Sequence, residues 1–142
     1  MPRYFLDTNV IVYAFDKQDP VKTEQSWDLL RLGLESREAV VSYQVVQEFV
    51  NVAVKRFRPS MSFPTIRGCV TNVLRPLIAV ESSPMLTLDA LEIHERYRFA
   101  WYDSLILAAA KYADCEILYS EDLQTGFQLG KLKIVNPFAK SL

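Results

Sequence analysis

The sequence predicts an α/β fold, with a Rossmann-like parallel sheet of four or five short strands and helices on both faces. Short apolar runs alternate along the chain with longer segments in which apolar residues recur every three or four positions. The first pattern is typical of buried strands and the second of amphipathic helices. Strands that are separated by helices pair in parallel, because each connection has to cross a face of the sheet.

The strand candidates are five apolar runs. The first, residues 4–6, stops at Asp7, and the fourth, residues 117–119, stops at Ser120. The others cover residues 39–41, 77–80 and 134–135.

The first half of the chain contains several helix signals. Residues 10–15 continue apolar after the first strand and could form a short helix. Asp19 followed by Pro20 is typical of an N-cap with proline at the first helical position. Trp27, Leu30 and Leu34 recur at helical spacing behind this pair. After the second strand, Ser42 is an N-cap candidate for a helix over residues 43–57.

The second half of the chain contains three further helix candidates. Ser62 and Pro64 could open a helix that closes near Pro76. Residues 87–97 predict a helix, with Leu88, Leu91 and Tyr97 pointing inward. Residues 103–112 are apolar nearly all round and predict a buried helix.

Composition sets further expectations. The 142 residues fit one domain, 1–142, and half of them are hydrophobic. The net charge of −1 neither indicates nor excludes RNA binding, because a local basic rim can attract phosphates. Cys69 and Cys115 are too few for a zinc site or a disulfide framework, and we expect buried thiols. No apolar run is long enough to span a membrane, and Asp7 interrupts the N-terminal apolar run, so we expect a cytoplasmic protein without a signal peptide.

Four acidic residues follow or flank the strand ends. Asp7 ends the first strand, Asp122 lies two residues past the fourth, Asp103 opens the buried helix, and Glu48 borders the apolar face of the helix after the second strand. Each also has a purely structural interpretation: an Asx turn for Asp7, a helix-dipole contact for Asp103, solvent for Glu48 and a loop for Asp122. Ligands of open α/β sheets bind at the carboxyl ends of strands. Several carboxylates there would favour a divalent cation.

Four segments resemble the motifs of PIN domains, in the same order and at similar spacing across nearly the whole chain. They are LDTN (residues 6–9), SYQVVQEF (42–49), WYDSLI with a following AAA (101–106 and 108–110), and LYSEDL (118–123). The size also resembles that of the VapC-type toxins of bacterial and archaeal toxin–antitoxin pairs.

The resemblance implies Mg²⁺- or Mn²⁺-dependent RNA cleavage in a Rossmann-like fold. It assigns Asp7, Glu48, Asp103 and Asp122 to the metal and catalytic site. Asn9, Ser104 and Ser120 would sit beside that site. Glu121 adjoins Asp122 and leaves the fourth acid ambiguous by one residue; the spacing from Ser120 favours Asp122.

Other residues receive more ordinary interpretations. His94 is the only histidine, which excludes a two-histidine ribonuclease mechanism, and its charged surroundings predict a solvated side chain. Trp27 and Trp101 are expected in the core rather than in base stacking. The basic residues after Glu48 could hold RNA phosphates or simply form a solvated helix end. They are Lys55, Arg56 and Arg58.

The resemblance implies RNA, a cognate antitoxin and a second copy of the chain as partners. Val50, Val54 and Phe57 extend the apolar surface of the Glu48 helix and favour a homodimer. Two alternatives stay open, a PIN-like RNA-processing nuclease without a toxin role and a catalytically silent RNA- or protein-binding module. The four acids argue against the silent module. An aspartyl-phosphate phosphatase would need an acid where Asn9 stands.

Overall fold

The computed structural model describes residues 2–55 and 61–139 and confirms the α/β prediction. Within these residues, six strands form one sheet: β1 (Tyr4–Leu6), β2 (Ala39–Ser42), β3 (Ile78–Val80), β4 (Ile117–Tyr119), β5 (Gln128–Leu129) and β6 (Leu132–Val135). Their order across the sheet is β3-β2-β1-β4-β6-β5. All neighbours are parallel except β5 and β6, which form an antiparallel hairpin.

Helices connect β1 to β2, β2 to β3 and β3 to β4. They are α1 (Thr8–Phe15), α2 (Pro20–Ser36), α3 (Tyr43–Lys55), α4 (Phe63–Cys69), α5 (Pro84–Tyr97) and α6 (Trp101–Tyr112). A π-helical turn at Val70–Leu74 and a 3₁₀ turn at Arg75–Leu77 lead from α4 to β3. No helix in the described ranges has both the length and the apolar character needed to cross a bilayer.

The core surrounds β1, the central strand. Phe5 is aligned with Val40 of β2 on one side and with Leu118 of β4 on the other. All three residues of β1 are buried, as both faces of a parallel sheet are when helices cover them.

Local signals place the helix ends. Asp19 caps α2 by accepting from the Lys22 backbone N–H at 3.2 Å, and Pro20 takes the first helical position as predicted. Ser42 accepts from the Val45 N–H at 3.4 Å, so β2 passes into α3 without a loop. Near the end of α2, a Cβ on Gly33 would lie 2.1 Å from the Ala39 Cβ, so only glycine permits this close approach.

The predicted inward face of α5 is wrong for two of its residues. Leu88 and Leu91 are 61% and 48% exposed. The helix begins three residues earlier than predicted, at Pro84, and its buried stripe is Leu86, Ala90 and Ile93. Both stripes have helical spacing, so periodicity alone could not choose between them. Tyr97 is half-buried and packs on Phe127.

The strand prediction missed β5. Its two residues are too short for a periodic signal, and the turn at Gly130, with a φ of 60°, supplies the tight hairpin to β6. Leu77, predicted in a strand, ends the 3₁₀ turn before β3.

His94 is half-buried rather than solvated. Its Nδ1 lies 2.6 Å from the Phe99 carbonyl oxygen, which can only accept, so Nδ1 donates. The ring also packs edge-on against Trp101. Trp27 and Trp101 pack against the core, and both cysteines are buried free thiols, as predicted.

Candidate active site

The ends of β1 and β4 lie side by side at one edge of the sheet. Leu6 is aligned with Tyr119, and the Asp7 backbone N–H donates to the Tyr119 carbonyl at 3.0 Å. Asp7 and Ser120 directly follow these strands. They therefore stand at the carboxyl edge of the sheet, where open α/β folds bind ligands.

The Asp7 carboxylate is buried, and its residue is only 7% exposed. One oxygen accepts from the Thr8 backbone N–H at 2.7 Å and thereby caps α1. The other accepts from the Ser120 hydroxyl at 2.8 Å and from the Asn9 amide at 3.3 Å. Each of these donors is neutral, so the described part of the chain solvates the carboxylate without neutralising its charge.

Asn9 and Ser120 connect Asp7 to Asp122. The Asn9 amide nitrogen lies 3.3 Å from an Asp7 oxygen and 3.2 Å from an Asp122 oxygen. Its amide oxygen accepts from the Glu121 backbone N–H at 3.1 Å. The Ser120 hydroxyl oxygen accepts from the backbone N–H groups of Asp122 and Leu123, both at 3.2 Å. The loop after β4 is thus held against the end of β1.

Glu121 points into a different environment from Asp122. Its carboxylate is ion-paired with Lys22 and accepts from the Tyr13 hydroxyl at 2.6 Å. Burial alone would raise the pKa of Glu121, but the bonds from Lys22 and Tyr13 hold it below the usual value. Asp122 has no such partner among the described residues beyond Asn9 and is exposed. The contacts therefore separate the two adjacent acids.

Glu48 reaches the same edge from α3. Its carboxylate accepts from the Thr8 hydroxyl at 2.7 Å and from the Gln44 amide at 3.5 Å. The Gln44 amide also donates to the Tyr102 carbonyl at 3.3 Å, which links α3 to the first turn of α6. Thr8 contacts Asp7 through its backbone and Glu48 through its side chain.

Asp103 lies in the first turn of α6 and is half-buried. Burial raises the pKa of Asp103, and the charge of Asp122 raises it further. Burial also raises the pKa of Asp7 to about 6. The bonds from Ser120 and Thr8 oppose this rise, and the charges of Glu48 and Asp103 add to it. The four acids are therefore coupled electrostatically.

The Ser104 side chain forms hydrogen bonds with the backbone and not with an acid. Its buried hydroxyl donates to the carbonyls of Phe99 and Ala100, at 3.3 and 3.0 Å. It secures the start of α6, which carries Asp103.

The sequence profile of the PIN domain family matches residues 4–127, a range that includes β1 and all four acids. The chain belongs to the PIN domain family. A comparison with curated protein sequences gave no significant match.

Solved structures share the PIN fold along nearly the whole chain. A toxin–antitoxin complex from Klebsiella pneumoniae matches with a TM-score of 0.68 and 16% identity, covering 95% of this chain and 98% of that one. FitAB bound to a DNA fragment matches at 0.67 and 18% identity, covering 98% of each chain. The Mycobacterium tuberculosis toxin VapC20 is described as cleaving the sarcin–ricin loop. It matches with a TM-score of 0.59 and 12% identity, covering 84% of this chain and 89% of that one.

The acids of this PIN domain offer the hard oxygen ligands that suit Mg²⁺ or Mn²⁺. The ion pairs within residues 2–55 and 61–139 are Lys22–Glu121, Arg31–Asp28 and Lys131–Asp114, so none neutralises the four coupled acids. In the same ranges, no three acidic, histidine or cysteine side chains are arranged to hold a metal ion. The donor chemistry fits a divalent cation, which one or two carboxylates can bind together with water molecules.

The surface residues beyond Glu48 are only partly described. Lys55 ends α3 and is exposed, whereas Arg56, Phe57 and Arg58 lie outside the described residues. Val50 is half-buried against the core. Val54 is 42% exposed and contributes the apolar surface predicted for this helix.

Two residues that contact Glu48 were missed by the sequence analysis. Thr8 occupies the variable position of the LDTN segment, and Gln44 lies one turn before Glu48 on α3. The i, i+4 spacing of Gln44 and Glu48 is a signal that could have identified the second. No local signal pairs Thr8 with a residue 40 positions away.

Proposed function

We propose that this PIN domain is a divalent-metal-dependent endoribonuclease that hydrolyses RNA phosphodiester bonds, and that it is the toxin of a toxin–antitoxin pair. The observation that carries the proposal is the buried, uncompensated carboxylate of Asp7. Asn9 connects it to Asp122, and its charge is coupled to those of Glu48 and Asp103. Burying such a charge is costly unless the site serves to bind a cation.

In this proposal Asp7, Glu48, Asp103 and Asp122 would hold Mg²⁺ or Mn²⁺. The bound metal would lower the pKa of a water molecule and stabilise the charge that develops on the phosphate. Ser120 and Asn9 orient the carboxylates of Asp7 and Asp122, and Thr8 orients that of Glu48.

His94 is the only histidine of the sequence, and its Nδ1 donates to the Phe99 carbonyl next to α6. The contacts of Glu121 with Lys22 and Tyr13 favour Asp122 as the fourth acid.

The fold similarities support the toxin role. Two of the similar structures are described as a toxin–antitoxin complex and as a toxin that cleaves the sarcin–ricin loop. By this similarity we propose a cognate antitoxin as a partner, a cytoplasmic site of action and a homodimer. The exposed Val54 is consistent with an interface on α3. A sedimentation experiment showing only monomer at micromolar concentration would contradict the dimer.

The proposal is tested by incubating the purified chain with RNA in Mg²⁺ or Mn²⁺, with and without EDTA, and mapping the product ends. We expect internal cleavage that EDTA abolishes. Induced expression in a bacterial host should stop growth, whereas an RNA-processing nuclease without a toxin role would cleave RNA and leave growth unaffected. A catalytically silent module would give no metal-dependent products.

A further inference from the structure

A cavity of about 250 Å³ lies at the carboxyl ends of β2 and β3, next to the acid cluster that Asp7, Glu48, Asp103 and Asp122 form. The starts of α3, α5 and α6 form its walls. The apolar residues Val80, Leu86 and Leu105 are part of its lining. Among the described residues that line it, Glu81 is the only one with a charge.

The cavity and the acid cluster share a wall. Gln44 lines the cavity, and its amide donates to the Glu48 carboxylate and to the Tyr102 carbonyl. Tyr102 also lines the cavity and directly precedes Asp103 in α6. A substrate with a phosphate at the acids would therefore have its neighbouring group within reach of this cavity.

The lining selects a flat, uncharged group. Tyr43 and Tyr102 line the cavity and are 42% and 65% exposed, which leaves aromatic surface available for stacking. Gln47 adds an amide that can donate and accept, and the Thr87 hydroxyl, which donates to the Ser83 carbonyl, can accept. A phosphate would meet apolar side chains and the carboxylate of Glu81. The volume is below the roughly 300–1,000 Å³ typical of drug-sized ligands.

We propose that this cavity holds one unpaired nucleobase of the RNA, next to the phosphodiester bond that is cleaved. This inference rests on the proposed function, and it adds a determinant of base preference to it. Proteins that read single-stranded RNA stack bases on aromatic side chains and bind the base edges through hydrogen bonds. Stacking and hydrogen bonds in the cavity provide affinity that four carboxylates, which repel the RNA backbone, cannot provide.

The test separates base binding from cleavage. Adenosine, guanosine, cytidine and uridine are titrated separately into the full chain in EDTA, and backbone amide shifts are followed by NMR. We expect the largest shifts at Tyr43, Ser83 and Tyr102, with at least one nucleoside preferred. Tyr102→Ala should weaken binding of that nucleoside about tenfold. This lies within the roughly 5- to 150-fold loss of affinity expected when a stacking contact is removed. Tyr102→Phe, which keeps the ring, should bind within about twofold of wild type.

Tyr112→Ala is the matched control, because Tyr112 lies on the same helix, is 70% exposed and lines a different cavity. It should leave nucleoside affinity unchanged. Absence of shifts around the cavity, or equal losses in Tyr102→Ala and Tyr112→Ala, would overturn the base site.

Cleavage assays then distinguish the two proposals. If nucleosides bind at the cavity but no RNA is cleaved in Mg²⁺ or Mn²⁺, the base site stands and the nuclease proposal fails. If RNA is cleaved and Tyr102→Ala changes neither the rate nor the base preference at the mapped ends, the nuclease stands and the base site is wrong.

Discussion

The Ser120 hydroxyl donates a 2.8 Å hydrogen bond to the buried carboxylate of Asp7. The same oxygen accepts from the backbone of Asp122 and Leu123, so one small side chain fixes an acid at the end of β1 to the acid-bearing loop after β4. Ser120 itself is fully buried. The geometry of two of the proposed metal ligands therefore depends on a residue that need not touch a metal.

Ser120→Ala should destabilise the protein and impair cleavage. Losing a hydrogen bond to a charged group costs about 1.5–3 kcal/mol, and the two loop N–H groups would also lose their acceptor. The free energy of unfolding in urea, measured in EDTA, checks this loss. Ser26→Ala is a suitable control, because the Ser26 hydroxyl is buried without a hydrogen-bond partner in the described structure. That variant should be neutral or more stable, and equal losses in both would contradict the role of Ser120.

The metal-free protein should lose stability as the pH rises from about 4 to 6. The pKa of Asp7 is raised by burial to about 6, so the folded state binds this proton more tightly than the unfolded chain does. The resulting stabilisation is full below the unfolded pKa of about 3.9 and is lost as the pH passes the folded pKa. The shift corresponds to roughly 3 kcal/mol. Asp103, whose pKa burial also raises, contributes in the same direction.

Urea unfolding of wild type and of Asp7→Asn between pH 4 and 8 isolates the Asp7 contribution. The difference in unfolding free energy should change in favour of the variant as the pH rises, because the amide cannot ionise. A difference that stays constant with pH would show that burial does not raise the pKa of the Asp7 carboxylate.

Thr8→Val should reduce RNA cleavage about 10- to 100-fold and leave the protein folded, at a cost in stability of no more than about 1.5–3 kcal/mol for the lost hydrogen bond to a charged group. The Thr8 hydroxyl donates to Glu48 at 2.7 Å, and a misplaced catalytic group of this kind costs up to about 10²-fold in rate. Thr8→Ser keeps the hydroxyl and should restore most of the rate. Full activity of Thr8→Val, measured as kcat and KM on one defined RNA, would remove Thr8 from the positioning network.

Much of the fold could be predicted because its signals are local. The runs at β1 and β4, the Asp19–Pro20 cap and the Ser42 cap each lie within a few residues of the feature they specify. The buried face of α5 depends on how that helix packs on α6. Sequence periodicity was equally compatible with the exposed stripe that contains Leu88 and Leu91, so it predicted the wrong face.

The acids themselves were also visible in the sequence, because three of them adjoin strand or helix ends. Their partners were not. The contact between Lys22 and Glu121 joins residues 99 positions apart, and the contact between Thr8 and Glu48 joins residues 40 positions apart. Such pairings follow from the order of strands in the sheet, which a single sequence does not state. The different environments of Glu121 and Asp122 became apparent for the same reason.

Asp122→Asn should abolish most cleavage, whereas Glu121→Gln should retain it. Asp122 shares the Asn9 amide with Asp7, and Glu121 is engaged by Lys22 and Tyr13. The Lys22–Glu121 pair is partly exposed, so its loss should cost no more than about 1 kcal/mol of stability. Cleavage rates of the two variants on the same RNA decide the matter. The reverse pattern, with Glu121→Gln inactive and Asp122→Asn active, would reassign the fourth acid.

The single-turnover rate of RNA cleavage by Asp7→Asn, in saturating Mg²⁺ or Mn²⁺, tests the metal-nuclease mechanism most directly. The amide keeps the size of the carboxylate but removes its charge, so the proposed cation would lose a hard anionic ligand. We expect wild type to cleave, EDTA to stop it, and Asp7→Asn to give no detectable product while remaining folded. Asp89→Asn, on the exposed part of α5, should cleave at the wild-type rate. Cleavage by Asp7→Asn at the wild-type rate, with contaminating nucleases excluded, would contradict the mechanism.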